Sequence, residues 1–261
     1  MQIRVVTINT WKCDGNYYKR INELALQLSK LDADIIACQE CFMSEAVNAD
    51  TLKFLADKLH MHYTFARGRV KDRLLENNWI PSSSNLGILS FYPITETHVY
   101  DLPCNEEDTD RKILYAKIAI TKDRSLELFN THLTHLTNSP LKELQFEALI
   151  TIINANKTNT VQLICGDFNS TINSKNLIDF AKNTSAMDCY QFGNGEEPRY
   201  SLVEEYVKGK QICVDHIFAI RPKNERIFSC KNSGVVLDSK GLENNLYSSD
   251  HFGIATTLLF N

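Results

Sequence analysis

Ile3, Val5, Thr7 and Asn9 alternate with Arg4, Val6, Ile8 and Thr10. Both phases are largely apolar, which predicts a strand buried on both faces with Asn9 at its far end. A loop with Trp11, Gly15 and two tyrosines follows. Ile21, Leu24, Ala25, Leu28 and Leu31 then fall at the spacing of an amphipathic helix. Asp32-Ala33-Asp34 ends it, and Ile35 to Cys38 form a second strand that closes in Gln39-Glu40. The chain therefore opens as a βαβ-like unit. Ser44 is read as the start of another helix, with Leu52, Leu55 and Leu59 on one face. Residues 63–66 read as a short strand. Residues 67–85 have no periodicity and many charges, among them Arg67, Arg69, Lys71 and Arg73, which predicts a long exposed loop.

Leu86 to Phe91 is an apolar run closed by Pro93, and Ile94 to Tyr100 reads as an edge strand. Asn105 to Asp110 is acidic and reads as a solvated loop. Lys112 to Thr121 and Leu126 to Thr131, joined by Lys122-Asp123-Arg124, predict a hairpin that runs on into His132-Leu133. Ser139-Pro140 is a cap followed by proline at the first helical position, and Leu141, Leu144, Ala148 and Ile152 carry that helix. Val161 to Cys165 is a buried strand that stops at Gly166 and presents Asp167 and Asn169. There the glycine is expected to let the chain turn. Residues 174–183 read as a short helix, 184–211 as irregular, 212–220 as a strand, and 253–260 as the last strand. With no tandem repeat and no linker-like stretch, residues 1–261 are read as a single domain. Strands outnumber helices and several adjacent pairs look like hairpins, so a mixed α/β (α+β) chain is expected.

Composition narrows the reading. A chain that is 43% hydrophobic over 261 residues buries a large core. A formal net charge of -4 supplies no global positive field of the kind that advertises nucleic-acid binding, although a local basic patch still serves. The start is too short and wrongly flanked for a signal peptide, and no apolar run spans a bilayer. A cytoplasmic protein without a transmembrane segment is expected, with its eight cysteines reduced. Cys38 and Cys41 form a C-x-x-C, but no second pair completes a zinc site.

Chemistry concentrates at strand ends. Asn9, Glu40, His132, Asp167 with Asn169, Asp215, and Asp250 with His251 each close or precede an apolar run. Asp215 shares an apolar face with Cys213, Ile217 and Ala219, where a carboxylate is costly unless paired. Ligand sites are assembled from several strand ends in this way. Glu40 suits Mg²⁺, a hard cation that takes one or two carboxylates plus substrate phosphate. Asp215 would hold one nitrogen of His251 while the other takes a proton from water. Asp167 and Asn169 would orient water and phosphate, and Arg111 would meet a non-bridging oxygen.

Six motifs carry a family resemblance. Thr7-Ile8-Asn9, Cys38-Gln39-Glu40, Asn130-Thr131-His132-Leu133, Gly166-Asp167-Phe168-Asn169, Val214-Asp215-His216 and Ser249-Asp250-His251 occur in the order seen in the endonuclease/exonuclease/phosphatase superfamily. The chain resembles it from residue 3 to residue 258. The resemblance implies a four-layer sandwich, two mixed β-sheets face to face with helices on both outer sides. It implies Mg²⁺-dependent phosphoesterase activity, with Mn²⁺ as a substitute. Glu40 would be the main metal ligand, with Asn9 beside it at metal and phosphate and Asp250 as a second acid. His251 would be the general base and Asp215 its orienting partner. His132 would stabilise phosphate or help protonate the leaving group, and Asp167 and Asn169 would position water and phosphate. His135 and His216 have no family role and are read as structural. The implied substrate is a nucleic acid, a phospholipid or an inositol phosphate, with a nuclease placed ahead of a sphingomyelinase or an inositol-phosphate phosphatase. No obligate protein partner is evident. Two other readings compete. A calcineurin-like binuclear metallophosphatase would need a D-x-H motif where this chain has Asn9. An inactive binding copy of the fold would have lost one of Glu40, Asp167 or His251.

Overall fold

The computed structural model describes residues 1–137, 139–222, 228–242 and 245–260. Alternation along the strands sorts their side chains into two sets, and each set finds a different neighbour. In chain order the elements are β1 (Gln2–Asn9), α1 (Tyr17–Lys30), β2 (Ile35–Ser44), β3 (Ala49–Asp50), α2 (Thr51–Leu59), β4 (His62–Ala66), β5 (Val70–Leu75), β6 (Asn78–Ser90) and β7 (Ile94–Asp101). Then come β8 (Lys112–Thr121), β9 (Arg124–His132), α3 (Pro140–Ala155), β10 (Val161–Asp167), α4 (Lys175–Thr184), β11 (Met187–Asp188), α5 (Cys189–Phe192), β12 (Asp215–Ile220), β13 (Phe228–Val236) and β14 (Gly253–Phe260).

Two mixed sheets result. The first runs β13-β14-β1-β2-β6-β4, with β3 added to β2 and β5 to β6; the second runs β11-β12-β10-β9-β8-β7. Each contains one parallel pair, β1 with β2 and β9 with β10. A parallel pair needs a crossover, and α1 and α3 supply it. Val5, Ile35, Ala37 and Ile88 of the first sheet face Leu128, Leu163 and Ile217 of the second. Their neighbours Val6, Ile36 and Leu89 turn the other way, onto Leu24, Leu28 and Leu55 of α1 and α2. On the far side, Phe129, Ile164 and Phe218 pack on Phe146, Leu149 and Phe180 of α3 and α4. Each such side chain stabilises the fold by roughly 1.5–3 kcal/mol relative to exposure. The order is helices, sheet, sheet, helices, the expected four layers.

Local signals explain most boundaries. Ser139 accepts a hydrogen bond from the Leu141 N–H at the start of α3, with Pro140 behind it, and Ser174 caps α4 through the Leu177 N–H. Four expectations need correction, first that of residues 184–211, which are not irregular throughout but contain β11 and α5. Residues 67–85 are not a long loop but the hairpin of β5 and β6. Its two-residue turn is Glu76-Asn77, both at positive φ (46° and 68°), a turn whose twist matches that of the flanking strands. Ser44 ends β2 and starts only a short 3₁₀ turn, Glu45–Val47; the helix that carries Leu52, Leu55 and Leu59, α2, begins after Asp50, whose carboxylate accepts from the Lys53 N–H. β13, which pairs with β14, had no reading in the sequence. Asp108 of the acidic stretch is buried against Arg111 rather than solvated. All eight cysteines are free, and Cys38 and Cys41 lie in the core. Among the described residues no helix is long and apolar enough to cross a membrane.

Candidate active site

Strand register sets the first row of functional side chains. Asp167, the last residue of β10, pairs with His132 of β9 on one side and with Asp215 of β12 on the other. Three chemistry-bearing residues thus stand abreast on adjacent strands. The sequence led us to expect a turn at Gly166, but the strand continues through it to Asp167. Glycine is required there by close approach. At φ +148°, a Cβ would lie 2.0 Å from the Thr131 carbonyl oxygen. The first sheet supplies a second row. Asn9 closes β1 opposite Gln39 of β2. At Glu40 the β2–β6 register slips, between Cys38 and Cys41, and Glu40 itself takes φ 55°. Such an irregularity re-aims a side chain out of the ladder. β2 then continues to Ser44, so Glu40 sits at a break within a strand rather than at its end.

Two buried amides hold the sheets together at this end. Asn130 donates from Nδ2 to the Cys38 and Gly87 carbonyls, both at 2.8 Å, and its Oδ1 accepts from Gln39 Nε2 at 2.8 Å. The 249–251 segment is tied to β1 by the Ser249 hydroxyl, which donates to the Asn9 carbonyl at 2.6 Å.

His251 Nδ1 lies 2.8 Å from Asp215 Oδ2, and Asp215 is fully buried. The other ring nitrogen, Nε2, lies 3.9 Å from Asp167 Oδ2, beyond direct hydrogen bonding. Asp167 Oδ2 also stands 3.4 Å from His132 Nε2 and accepts from Asn9 Nδ2 at 3.1 Å. Its Oδ1 accepts from the Asn169 N–H at 2.9 Å, and Asn169, at φ 48°, donates from Nδ2 to the Leu133 carbonyl. Burial, then the charge of Asp215, pushes the Asp167 carboxyl up to about 7. Burial disfavours protonated His251, but Asp215 with Asp167 and Asp250 outweighs it and raises the imidazole to about 10. His132 goes the other way. Burial, followed by the charge of Arg111, holds it well below the usual histidine range, so it is neutral near pH 7.

Glu40 and Asp250 border the same cavity, about 370 Å³ in volume, as Asn9, His132, Asp167 and His251. Lys12 Nζ lies on Glu40 Oε2 at 2.6 Å, so a cation already meets that carboxylate. Asp250 is raised to about 6, first by burial and further by the negative charge of Glu40, which His251 opposes. Two acids that repel across a cavity, with an amide oxygen beside them, are a hard-oxygen donor set and fit a divalent cation such as Mg²⁺. Asp167, Asp215 and His251 also bring ligand atoms within 4.8 Å of one another. Asp215 Oδ2 is already bonded to His251 Nδ1 and Asp167 Oδ2 to Asn9 Nδ2, so the Glu40–Asp250 side is the better fit. Arg111 borders the cavity with its Nε on Asp108 Oδ1 at 2.8 Å and its Nη1 on the His132 carbonyl.

Every site residue expected from the sequence is in or against this cavity, Asp215 from behind His251. Four features were not foreseen. His135, read as structural, is exposed at the cavity rim, while His216 is buried and bonded through Nε2 to the Ser170 carbonyl. Lys12 has no motif to mark it. Arg69, Lys71 and Arg73 belong to the stretch whose Arg, Lys and Trp79 suggested from the sequence a contact with an anionic substrate or a lipid surface; unforeseen is that they line the cavity from a hairpin. Arg20 is 1% exposed and binds five backbone carbonyls, those of Thr10, Trp11, Lys12, Asp14 and Ser248. It clamps the two loops that carry Lys12 and Asp250. In the sequence it is one polar residue on an otherwise ordinary amphipathic helix.

Residues 6–251 match the profile of the Endonuclease/Exonuclease/phosphatase family. By sequence, the chain matches no curated protein. Similar solved structures include a mannosyl-6-phosphatase of Bacteroides thetaiotaomicron VPI-5482, at 18% identity and TM-score 0.76, covering 99% of this chain and 100% of that one. D. rerio TDP2 complexed with single-strand DNA product is similar at 18% identity and TM-score 0.74, covering 99% of each chain. The human nocturnin catalytic domain with a bound sulfate anion is similar at 16% identity and TM-score 0.75, covering 100% of this chain and 95% of that one.

Proposed function

This chain belongs to the endonuclease/exonuclease/phosphatase family, and on that premise we propose that residues 1–261 form one catalytic domain that hydrolyses a phosphoester with Mg²⁺, or Mn²⁺ in its place. The observation that carries the reading is the row His132–Asp167–Asp215 with His251 bonded to Asp215 at 2.8 Å, all against one cavity that Glu40 and Asp250 share. Glu40 is the main ligand to the cation, with Asp250 and the Asn9 amide oxygen beside it. Bound there, a divalent ion polarises a phosphate oxygen and offsets the acids that hold the His251 proton.

The remaining work falls to the chain itself. Asp215 fixes the His251 ring so that Nε2 faces Asp167, where a water held by Asp167 loses its proton to the imidazole. Asn9 and Asn169 steer Asp167, and one Asn169 amide hydrogen is left for phosphate. His132, neutral, donates a hydrogen bond to the charge that builds on phosphorus rather than a whole proton. Arg111 meets a non-bridging oxygen while Asp108 holds its other edge. A nucleic-acid phosphodiester is the first substrate to test, supported by the acid–histidine machinery and the basic hairpin at the same cavity.

The experiment is a panel of single- and double-stranded DNA, RNA, sphingomyelin, inositol phosphates and sugar phosphates, each with Mg²⁺, with Mn²⁺ and with chelator. Turnover of at least one substrate that chelator abolishes is expected. Equal rates with and without chelator would remove the metal from the reading.

A further inference from the structure

We propose that Arg69, Lys71 and Arg73 form a second anion subsite in the active cavity, which takes a phosphoryl group of the substrate other than the one hydrolysed. The inference rests on the phosphoesterase reading and adds to it the class of substrate, one that carries at least two phosphates.

The three residues lie at every second position of an extended segment, so their side chains leave the backbone on one side. All three border the cavity that holds His251 and Glu40. What sets them apart is the absence of counter-ions. Every other Lys or Arg on this cavity has a carboxylate within ion-pair distance: Lys12 has Glu40 and Asp14, Arg111 has Asp108, and Lys112 has Asp101. Among the described residues, none of Arg69, Lys71 and Arg73 has one. Arg69 donates to the Glu107 carbonyl. Arg73 is 6% exposed and donates only to the carbonyls of Arg69, Lys71 and Ser82 and to the Ser82 hydroxyl; its Nε is buried without a partner. Lys71 Nζ makes no hydrogen bond to a described residue. Burial and the repulsion of Arg73, Arg69 and Lys12 lower its proton affinity.

Three like charges in one strip cost free energy, and a buried charge such as that of Arg73 is ordinarily paired, while Lys71 is exposed and Arg69 half-buried. Structural need explains part of one residue only, since the Arg73 guanidinium staples the hairpin. It does not explain Arg69 and Lys71. A phosphate, whether the monoanion of a diester or the near-dianion of a monoester, would meet these donors with charge-assisted bonds. A single scissile phosphate is already met by His132, Arg111, Asn169 and the cation, which leaves the strip for another phosphate of the same molecule. A neighbouring phosphate of a nucleic-acid strand and a ring phosphate of a polyphosphorylated polyol share this chemistry.

The test uses matched substrates. One pair is thymidine 5′-(p-nitrophenyl phosphate) with and without a 3′-phosphate. The other is fructose 1,6-bisphosphate against fructose 6-phosphate. For the intact protein the second phosphate is expected to raise kcat/KM by about tenfold or more, the scale of a hydrogen bond to a charged group. The pair that shows the preference identifies the source. Lys71→Gln and Arg69→Gln are expected to bring the ratio toward one. A ratio near one for the intact protein in both pairs, or a ratio retained in both variants, overturns the proposal. Titration of inorganic phosphate in chelator, followed by NMR of the lysine and arginine side chains, reads the subsite without turnover. Shifts at Lys71 that vanish in Lys71→Gln together with loss of phosphate affinity support it; unchanged affinity in that variant overturns it. Chelator-sensitive turnover of the singly phosphorylated substrates stands apart from both outcomes, so failure here leaves the hydrolase reading separately decided.

Discussion

Replacing Asp215 by asparagine keeps the shape of a side chain with 0% exposure and removes one buried charge. The structure fixes what should follow. Asp215 Oδ2 is the partner of His251 Nδ1 at 2.8 Å, and it is the first of the acids that lift the imidazole from its usual 6.5 to about 10 against the opposing effect of burial. At about 1.4 kcal/mol per unit, that lift is several kcal/mol of preference for the charged ring. In Asp215→Asn, Asp167 and Asp250 remain, but the bonded partner is neutral and can turn its NH₂ toward the ring. The imidazole then loses both its orientation and the group that stabilises it once it has taken a proton. Turnover is expected to fall by about 10²- to 10⁴-fold, the range of lost general-base catalysis. The assay is kcat on a chromogenic phosphodiester in saturating Mg²⁺, with far- and near-UV circular dichroism to show that the fold is kept. An NMR titration of the His251 ring in chelator gives an independent readout, in which its pKa should fall in the variant. Stability provides the sign. Because the folded value lies above the unfolded one, the pair's contribution is fully present below pH ~6.5 and is lost as pH rises through about 10. The variant should lack that loss. Turnover within about threefold of the parent, or an unmoved His251 titration, would refute the assignment.

Glu40→Gln should weaken Mg²⁺ binding, read by titration calorimetry, and cut turnover by about 10²-fold or more. Its partly exposed pair with Lys12 should cost no more than about 1 kcal/mol of stability. His216 is pushed down to about 4 by burial and then by the charge of Arg199, so the unfolded chain binds its proton first. Stability to urea should therefore fall as pH drops from about 6.5 to about 4, by up to about 3 kcal/mol, and His216→Phe should flatten that slope. Gly166→Ala places a methyl 2.0 Å from the Thr131 oxygen at φ +148°, and denaturant unfolding should show a loss of at least about 3 kcal/mol. Arg20→Met leaves its carbonyls without their donor and should cost about 3 kcal/mol or more in thermal unfolding, with a rise in KM from loosened loops.

The layers were legible because they follow from alternation. Ile3 to Thr10 and Val161 to Cys165 are apolar in both phases, and only a strand covered on both faces satisfies that. The hairpin of β5 and β6 was not legible for the same reason. Its inner positions are Arg73, Ile80 and Ser82, and its outer ones include Leu74 and Trp79, which is 71% exposed. Polarity there is mixed relative to burial, with Arg73 and Ser82 inside beside Leu75 and Ile80 and with Leu74 and Trp79 outside, so a pattern that equates apolar with inside reads noise. The Glu76-Asn77 turn was the remaining clue, and it lacks the glycine that usually marks such turns.

The site divides along another line. The proposed catalytic and metal-binding side chains are polar groups beside apolar runs; each of Asn9, Glu40, Asp167, Asp215 and His251 has an ordinary reading alone, and only their repetition in order makes the site legible. Side chains that place them are common types in ordinary settings. Asn130 sits within a strand and becomes a cross-brace only because β2 and β6 bring the Cys38 and Gly87 carbonyls over it. Arg20 occupies a helix position next to Ile21, and its role depends on Ser248, distant by 228 residues. A donor with several N–H groups has no direction until the acceptors are folded around it. The Arg20 contacts hold the Lys12 and Asp250 loops to one another, with the Ser249 hydroxyl on the Asn9 carbonyl as a further tie, so the geometry of the acidic half of the cavity depends on how α1 packs on the first sheet.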